Sequence, residues 1–170
     1  MNLYQRIFII GHSGAGKGVL AQALAKKLNW KFIDADFALA PSIGQPLIEI
    51  LGETGEKSFI NSLSDTLAYQ LTQENIVVTT DDSIICCDKN RQLLSEEFTV
   101  YLQVSTSIQL ERISHNRPLL PTTNFPAFLT QLHDERDKLY EQASRFSISS
   151  DDGNIDQHVA QILNAMDSEK

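Results

Sequence analysis

Apolar and polar residues alternate along the chain in two kinds of segment. Short apolar runs predict strands at residues 6–10, 31–33, 75–79, 99–104 and 146–149. Between them, apolar residues recur at helical spacing. The predicted helices cover residues 17–28, 46–51, 57–73, 89–94, 108–114, 125–143 and 155–166. Strands that alternate with helices in this way predict an α/β fold, with a parallel sheet covered by helices on both faces.

The first apolar run leads into a glycine-rich turn, GHSGAGKG at residues 11–18, and a helix follows directly. This order and the spacing GxxxxGK are typical of a phosphate-binding loop. Glycines allow backbone N–H groups to converge on phosphate oxygens, and the helix N-terminus adds positive potential. Lys17 supplies a charge for the β- and γ-phosphates. The predicted nucleotide-binding residues here are Gly11, Ser13, Gly14, Ala15, Gly16, Lys17, Gly18 and Val19.

The loop departs from the usual motif at one point. A serine or threonine normally follows the lysine, and its hydroxyl coordinates Mg²⁺. Here Gly18 and Val19 stand in that region, and neither side chain has an oxygen. Metal binding therefore has to depend on other groups or on water.

Carboxylates follow the second and third predicted strands. Asp34 and Asp36 end the second strand, and Asp81 and Asp82 come after the third. Ligands of parallel sheets bind beyond the carboxyl ends of the strands, which is also where the glycine loop lies. A carboxylate at this edge can hold Mg²⁺ or accept a proton from an attacking hydroxyl. The alternatives are a helix cap at Asp36 and a polar turn at the second pair.

A further segment predicts a lid. Prolines interrupt the helical pattern after residue 117, and Arg112 and Arg117 flank a short polar loop. A loop carrying arginine above bound phosphates excludes water and brings positive charge to the transferred group. We therefore expect a lid at about residues 112–124, with an ordinary connection as the alternative.

Composition limits the classes of function. A length of 170 residues predicts one domain, and a net charge of −8 argues against non-specific binding to nucleic acid or membranes. The two cysteines are adjacent, which argues against a disulfide scaffold, and the four histidines show no ligand spacing, so no zinc site is predicted. No apolar stretch is long enough to span a membrane. We expect a cytoplasmic protein.

Six segments spread along the chain resemble the shikimate kinase family, within the nucleoside-monophosphate-kinase-like group. In order they are GHSGAGKG, FIDAD, GEKSF, VVTT, NRPLL and ERDKLYEQA. The resemblance implies a three-layer P-loop NTPase fold with a five-stranded parallel sheet in the order 2-3-1-4-5. It implies transfer of the ATP γ-phosphate to a hydroxyl of the small alcohol shikimate, with Mg²⁺, by a protein expected to be a monomer.

The resemblance also implies roles for individual residues. Lys17 and the loop would hold the ATP phosphates, and Asp34 would support the metal. Asp36 would bind substrate hydroxyls and orient or deprotonate the attacking one. The three arginines would act at the lid (Arg117), against the adenine (Arg112) and on the substrate carboxylate (Arg136). The predicted catalytic residues are Lys17, Asp36 and Arg117.

The departures from the family lie in the substrate pocket. Ile60 replaces an arginine that also holds the carboxylate, and Asp81, Asp82 and Ser83 replace three glycines. Losing one partner of a buried charged hydrogen bond costs about 2–5 kcal/mol. The predicted substrate residues are Asp36, Ile60, Asp81, Asp82 and Arg136, with Asp82 also a candidate metal ligand.

Three functions remain open at this stage. The first is phosphorylation of shikimate with Arg136 as the sole carboxylate anchor. The second is phosphorylation of a different small alcohol, neutral or cationic. The third is nucleotide binding without catalysis. The presence of Lys17 and Asp36 together with Arg117 and Arg136 favours an enzyme. A protein that only binds nucleotide does not need these residues together.

Overall fold

The computed structural model describes residues 3–36, 47–116 and 125–169. Its five strands all run parallel in one sheet, in the order β2-β3-β1-β4-β5. The predicted strand order is therefore confirmed. The strands are β1 Arg6–Ile10, β2 Lys31–Ala35, β3 Ile76–Thr80, β4 Phe98–Gln103 and β5 Phe146–Ser149.

Helices connect the strands, and their bounds agree with the predicted ones to within a few residues. They are α1 Lys17–Leu28, α2 Leu47–Gln70, α3 Asp88–Ser95, α4 Thr106–Asn116, α5 Phe125–Ala143 and α6 Ile155–Ser168, with a short 3-10 helix at Asp82–Cys86. The predicted break near residue 52 is present as a single residue, Gly52, with φ 74°. Only glycine adopts this conformation readily, so the two predicted helices join there with a kink.

The core lies on both faces of the sheet. Along β1, Ile7 and Ile9 pack on one face in the cluster that includes Leu20 and Leu24 of α1 and Ile162 of α6. Phe8 and Ile10 point to the opposite face, as the period of two in a strand requires. The second cluster includes Leu63, Leu67 and Tyr140, which lie on α2 and α5. Burial on both faces explains why the central strands are continuous apolar runs.

The sheet brings several polar segments to one edge. The glycine loop follows β1, Asp36 follows β2, and Asp81 follows β3. Asp34 in β2 pairs with Thr79 in β3, so these two strands end at the same level. Within the part of the chain that the structure describes, no helix has the length and apolar character that crossing a membrane requires.

Candidate active site

The glycine loop is fixed by close contacts with the sheet and with α1. A Cβ atom at Gly11 would lie 2.5 Å from the carbonyl oxygen of Leu102 in β4, so a larger residue cannot fit there. Gly16 precedes α1 in the left-handed conformation, with φ 94° and ψ 25°, and no described side chain caps this helix. The first N–H groups of α1 therefore remain available to an anion.

Side chains of the protein hold the carbonyl groups of the loop. Lys17 Nζ donates to the carbonyl oxygens of Gly11 at 2.8 Å and His12 at 3.0 Å. Gln109 Nε2 donates to Ser13 O at 2.7 Å. The carbonyls of the next two loop residues each accept from Arg112 Nη1 at 3.1 Å. These donors offset the negative ends of the peptide dipoles around the position expected for phosphate.

A cavity of about 360 Å³ lies beside the loop, between α1, α4 and α6. Arg112 borders it and also donates to Ser150 Oγ and Ser150 O, both at 3.0 Å. The lining combines apolar and polar side chains, among them Val19, Leu20, Arg112, Asn154, Ile155 and His158. This is the combination that a flat base and its ribose require from a protein pocket.

Three carboxylates meet on the other side of Lys17. Asp36, Asp81 and Asp82 each offer an oxygen within 4.8 Å of the other two. Lys17 Nζ lies 3.4 Å from Asp36 Oδ2. Arg136 Nη1, on α5, lies 3.2 Å from Asp82 Oδ2. Each of the two cations therefore pairs with a different member of one acidic cluster, which we call the carboxylate cluster.

Burial raises the pKa of two members of the carboxylate cluster, Asp36 and Asp82. Desolvation raises the pKa of Asp82 to about 7, although Arg136 opposes this increase. Desolvation also raises the pKa of Asp36, against the effect of Lys17. Within the described residues, Oδ1 of Asp36 and Oδ1 of Asp82 are buried without a hydrogen-bond partner. Each oxygen can accept a bond from a ligand hydroxyl or coordinate a hard cation.

The other two predicted acidic residues have local partners. Asp81 Oδ1 accepts a hydrogen bond from Ser83 N at 3.0 Å and caps the 3-10 helix. Asp34 is exposed, and its Oδ1 accepts from Thr79 Oγ1 and from Asp36 N, both at 3.0 Å. Asp34 does not belong to the carboxylate cluster. It instead orients the turn that carries Asp36.

The segment beside Arg136 is also held by Tyr140, which was not among the predicted site residues. Tyr140, on α5, donates to Asp82 O at 2.7 Å. Two predicted site residues, Ile60 and Arg117, remain. Ile60 on α2 is half-buried and packs against the core cluster of Phe8. Arg117 and residues 118–124 of the predicted lid lie outside the described residues.

The structure also brings together residues that sequence analysis did not connect. His12 Nε2 lies 2.6 Å from Asp137 Oδ1, although the two residues are 125 positions apart. His133 Nδ1 lies 3.1 Å from Asp137 Oδ2, and its ring stacks on that of His12 at 3.9 Å. The i, i+4 pair on α5 was visible in the sequence. Its meeting with the glycine loop depends on the fold.

These three residues form a hydrogen-bonded group, and one ligand atom of each lies within 4.8 Å of the other two, as a metal site would also require. The planes of the two imidazole rings differ by only 21°, with the ring centres 3.9 Å apart. The expectation that the chain has no zinc site stays a prediction.

The sheet order, the glycine loop before α1 and the carboxylate beside Lys17 define a P-loop kinase. The family model described as "Shikimate kinase" matches residues 13–167. The chain belongs to the shikimate kinase family. It is an ATP-dependent phosphotransferase that resembles shikimate kinase and acts on a small molecule.

Individual relatives resemble nearly the whole chain. A shikimate kinase of Psychrobacter sp. (strain PRwf-1) is 33% identical over 150 residues, which cover 86% of this chain and 83% of the relative. One of Legionella pneumophila (strain Corby) is 34% identical over 151 residues, with 86% of both chains covered. The solved structure of Acinetobacter baumannii shikimate kinase in complex with shikimate has a TM-score of 0.81 at 28% identity, covering 99% of this chain and 96% of that one.

Proposed function

We propose that this chain transfers the γ-phosphoryl group of ATP to a hydroxyl group of shikimate. The observation that carries the proposal is the position of Asp36. One of its oxygens lies 3.4 Å from Lys17 Nζ, and its other oxygen is buried and unpartnered within the carboxylate cluster. Asp36 therefore lies between Lys17, which is expected to bind the ATP phosphates, and the carboxylate cluster that Arg136 contacts.

On the nucleotide side, the loop N–H groups and Lys17 would bind the ATP phosphates. The cavity bordered by Arg112 would take the base and ribose, because it adjoins the loop and joins apolar walls to polar edges. Arg117 stays a predicted lid residue, expected to act on the transferred phosphoryl group.

On the acceptor side, Asp36 would bind and orient the attacking hydroxyl. Its raised pKa makes it a stronger base than an exposed aspartate, which suits proton removal from an alcohol. Arg136 would bind the acceptor carboxylate, since it is a largely buried cation that contacts the carboxylate cluster at Asp82. Ile60 would supply an apolar wall in place of a second cation.

The carboxylate cluster also fits Mg²⁺. It offers only oxygen atoms, two of them buried and unpartnered, and such oxygens suit a hard cation. Asp82 and Asp36 would hold the metal directly, and Asp34 would act through the turn or through water. When bound with ATP, Mg²⁺ offsets the negative charge of the phosphates.

A second acceptor class is favoured by one specific observation. Asp82 already supplies Arg136 with a carboxylate partner at 3.2 Å, and both side chains are largely buried. An acceptor carboxylate must share or replace that partner. A neutral polyhydroxylated acceptor would leave the ion pair intact and donate its hydroxyls to Asp36 and Asp82.

The two acceptor classes differ in one chemical group, so matched ligands separate them. ADP release with ATP and Mg²⁺ is measured without acceptor, with shikimate, and with its methyl ester, which keeps the hydroxyls and lacks the charge. The proposed function predicts turnover with shikimate and at least tenfold lower kcat/KM with the ester. An ester that equals or exceeds the acid would favour the neutral acceptor. Turnover with neither would overturn both proposals.

A further inference from the structure

Asp137, on α5, is the centre of a hydrogen-bond network that reaches the phosphate loop. Its Oδ1 lies 2.6 Å from His12 Nε2 and accepts from the hydroxyl of Tyr101 at 3.1 Å. Its Oδ2 lies 3.1 Å from His133 Nδ1. His12 belongs to the loop and is only 1% exposed, so its side chain has a fixed position between the loop and α5.

The partners of the network determine which atoms carry protons. Ser13 O can only accept, so Gln109 must present Nε2 to it and Oε1 to His133. His133 Nε2 therefore donates to Gln109 Oε1, at 2.9 Å. His133 Nδ1 faces a carboxylate oxygen, which also needs a donor. His133 thus bridges Asp137 and Gln109 through its two ring nitrogens.

The pKa shifts of His12 and Asp137 agree with these donor and acceptor roles. Burial lowers the pKa of His12 to about 4, although its hydrogen bond with Asp137 opposes the change. His12 is therefore neutral and donates from Nε2. Burial alone would raise the pKa of Asp137, but the hydrogen bonds with His12 and His133 outweigh it and lower that pKa. The centre of the network is thus the Asp137 carboxylate, which accepts hydrogen bonds from His12, Tyr101 and His133.

The network has two arms, one through His12 and one through His133 and Gln109, and both end on the loop backbone. Through its ring, His12 is tied to Asp137, and its carbonyl oxygen accepts from Lys17 Nζ at 3.0 Å and from Ala15 N at 3.2 Å. Through His133 and Gln109, the second arm ends on Ser13 O. Displacement of either arm would move the peptide groups that face the phosphates.

We infer that Asp137 is a positioning residue for the phosphate loop, acting through His12 and through the His133–Gln109 pair. It lies one residue after Arg136, whose guanidinium is 3.2 Å from Asp82 Oδ2. Helix α5 thus holds the loop through Asp137 and contacts the carboxylate cluster through Arg136. The position of the loop relative to the carboxylate cluster therefore depends on this one helix.

Binding of ADP tests the inference without any acceptor, so its outcome is separate from the question of which alcohol is phosphorylated. ADP affinity is measured by titration calorimetry with Mg²⁺ for the natural protein and for Asp137→Asn. Loss of a charged hydrogen-bond acceptor predicts roughly ten- to hundredfold weaker ADP binding. Asp134→Asn is the matched control, because Asp134 is an exposed aspartate on the same helix. It should leave the affinity within twofold.

A rescue experiment distinguishes positioning from general loss of structure. His12→Gln retains a donor that can reach Asp137, whereas His12→Ala does not. We expect the glutamine variant to keep most of the ADP affinity and the alanine variant to lose it, with circular dichroism showing that both are folded.

ADP affinity within twofold of normal in both Asp137→Asn and His12→Ala would overturn the inference.

Discussion

Asp82→Asn replaces the carboxylate that pairs with Arg136 by a neutral group of the same shape. The amide oxygen can still accept a hydrogen bond from Arg136, and the carbonyl that accepts from Tyr140 at 2.7 Å is retained. The substitution therefore removes the charge with little change in packing. If Arg136 binds the acceptor carboxylate, its affinity for that group should increase in the variant.

The size of the increase follows from the ion pair. Two unit charges 3.2 Å apart attract each other by about 5 kcal/mol at an effective dielectric constant near 20. Most of this is offset by desolvation, and a net charged hydrogen bond contributes about 1.5–3 kcal/mol. Removal of the internal competitor should therefore tighten shikimate binding roughly ten- to hundredfold.

Calorimetric titration of shikimate into protein without nucleotide or metal measures this effect directly. Omitting Mg²⁺ keeps any role of Asp82 toward the metal out of the result. Asp134→Asn, at an exposed aspartate on α5, the helix that carries Arg136, is the control for a change in net charge. Unchanged or weaker shikimate binding by Asp82→Asn would refute the role of Arg136 as the carboxylate anchor.

Three further predictions concern the loop. Lys17→Ala should abolish ATP binding at micromolar concentrations, and unchanged affinity in a calorimetric titration would contradict its role. Gly18→Ser should strengthen Mg²⁺-dependent ATP binding, because the serine hydroxyl restores the missing metal ligand. The side chain has room, since a Cβ atom at Gly18 meets nothing within 4 Å. Equal ATP affinity of the natural protein and the variant would argue against a metal at this position.

The third prediction uses the pKa of His12, which is lowered from 6.5 to about 4. The unfolded chain takes up the proton first as the pH falls, so the natural protein should lose about 2–3 kcal/mol of unfolding free energy between pH 7 and pH 4. His12→Gln should avoid that part of the loss in urea denaturation. Equal losses in both proteins would contradict the buried, neutral state of His12.

The fold was predictable because its signals are local and repeated. Each central strand is a continuous apolar run, and Leu63 and Leu67 show the helical spacing of a core face, where both are buried. The order of the strands, however, came from the family resemblance, since periodicity does not specify which strands are neighbours. The sequence also suggested a wider break in α2 than the single kink at Gly52.

The site was predictable only in part. The sequence identified the residues at the carboxyl ends of the strands, and the carboxylate cluster contains three of them. Their partners could not be deduced, because Asp82 meets Arg136 across 54 positions of the chain. The same limit applies to His12, whose partner Asp137 becomes its neighbour only when α5 packs beside the loop. Side-chain directions decided both contacts.

Phosphorus NMR of a reaction mixture with ATP, Mg²⁺ and shikimate tests the proposed function most directly. Transfer to the acceptor predicts a new phosphomonoester signal that grows as the γ-phosphate signal of ATP declines, and both changes should be absent without shikimate. The Asp36→Asn variant should show neither change. An ATP spectrum that is unaffected by shikimate, or a γ-phosphate recovered only as inorganic phosphate, would contradict phosphoryl transfer to shikimate.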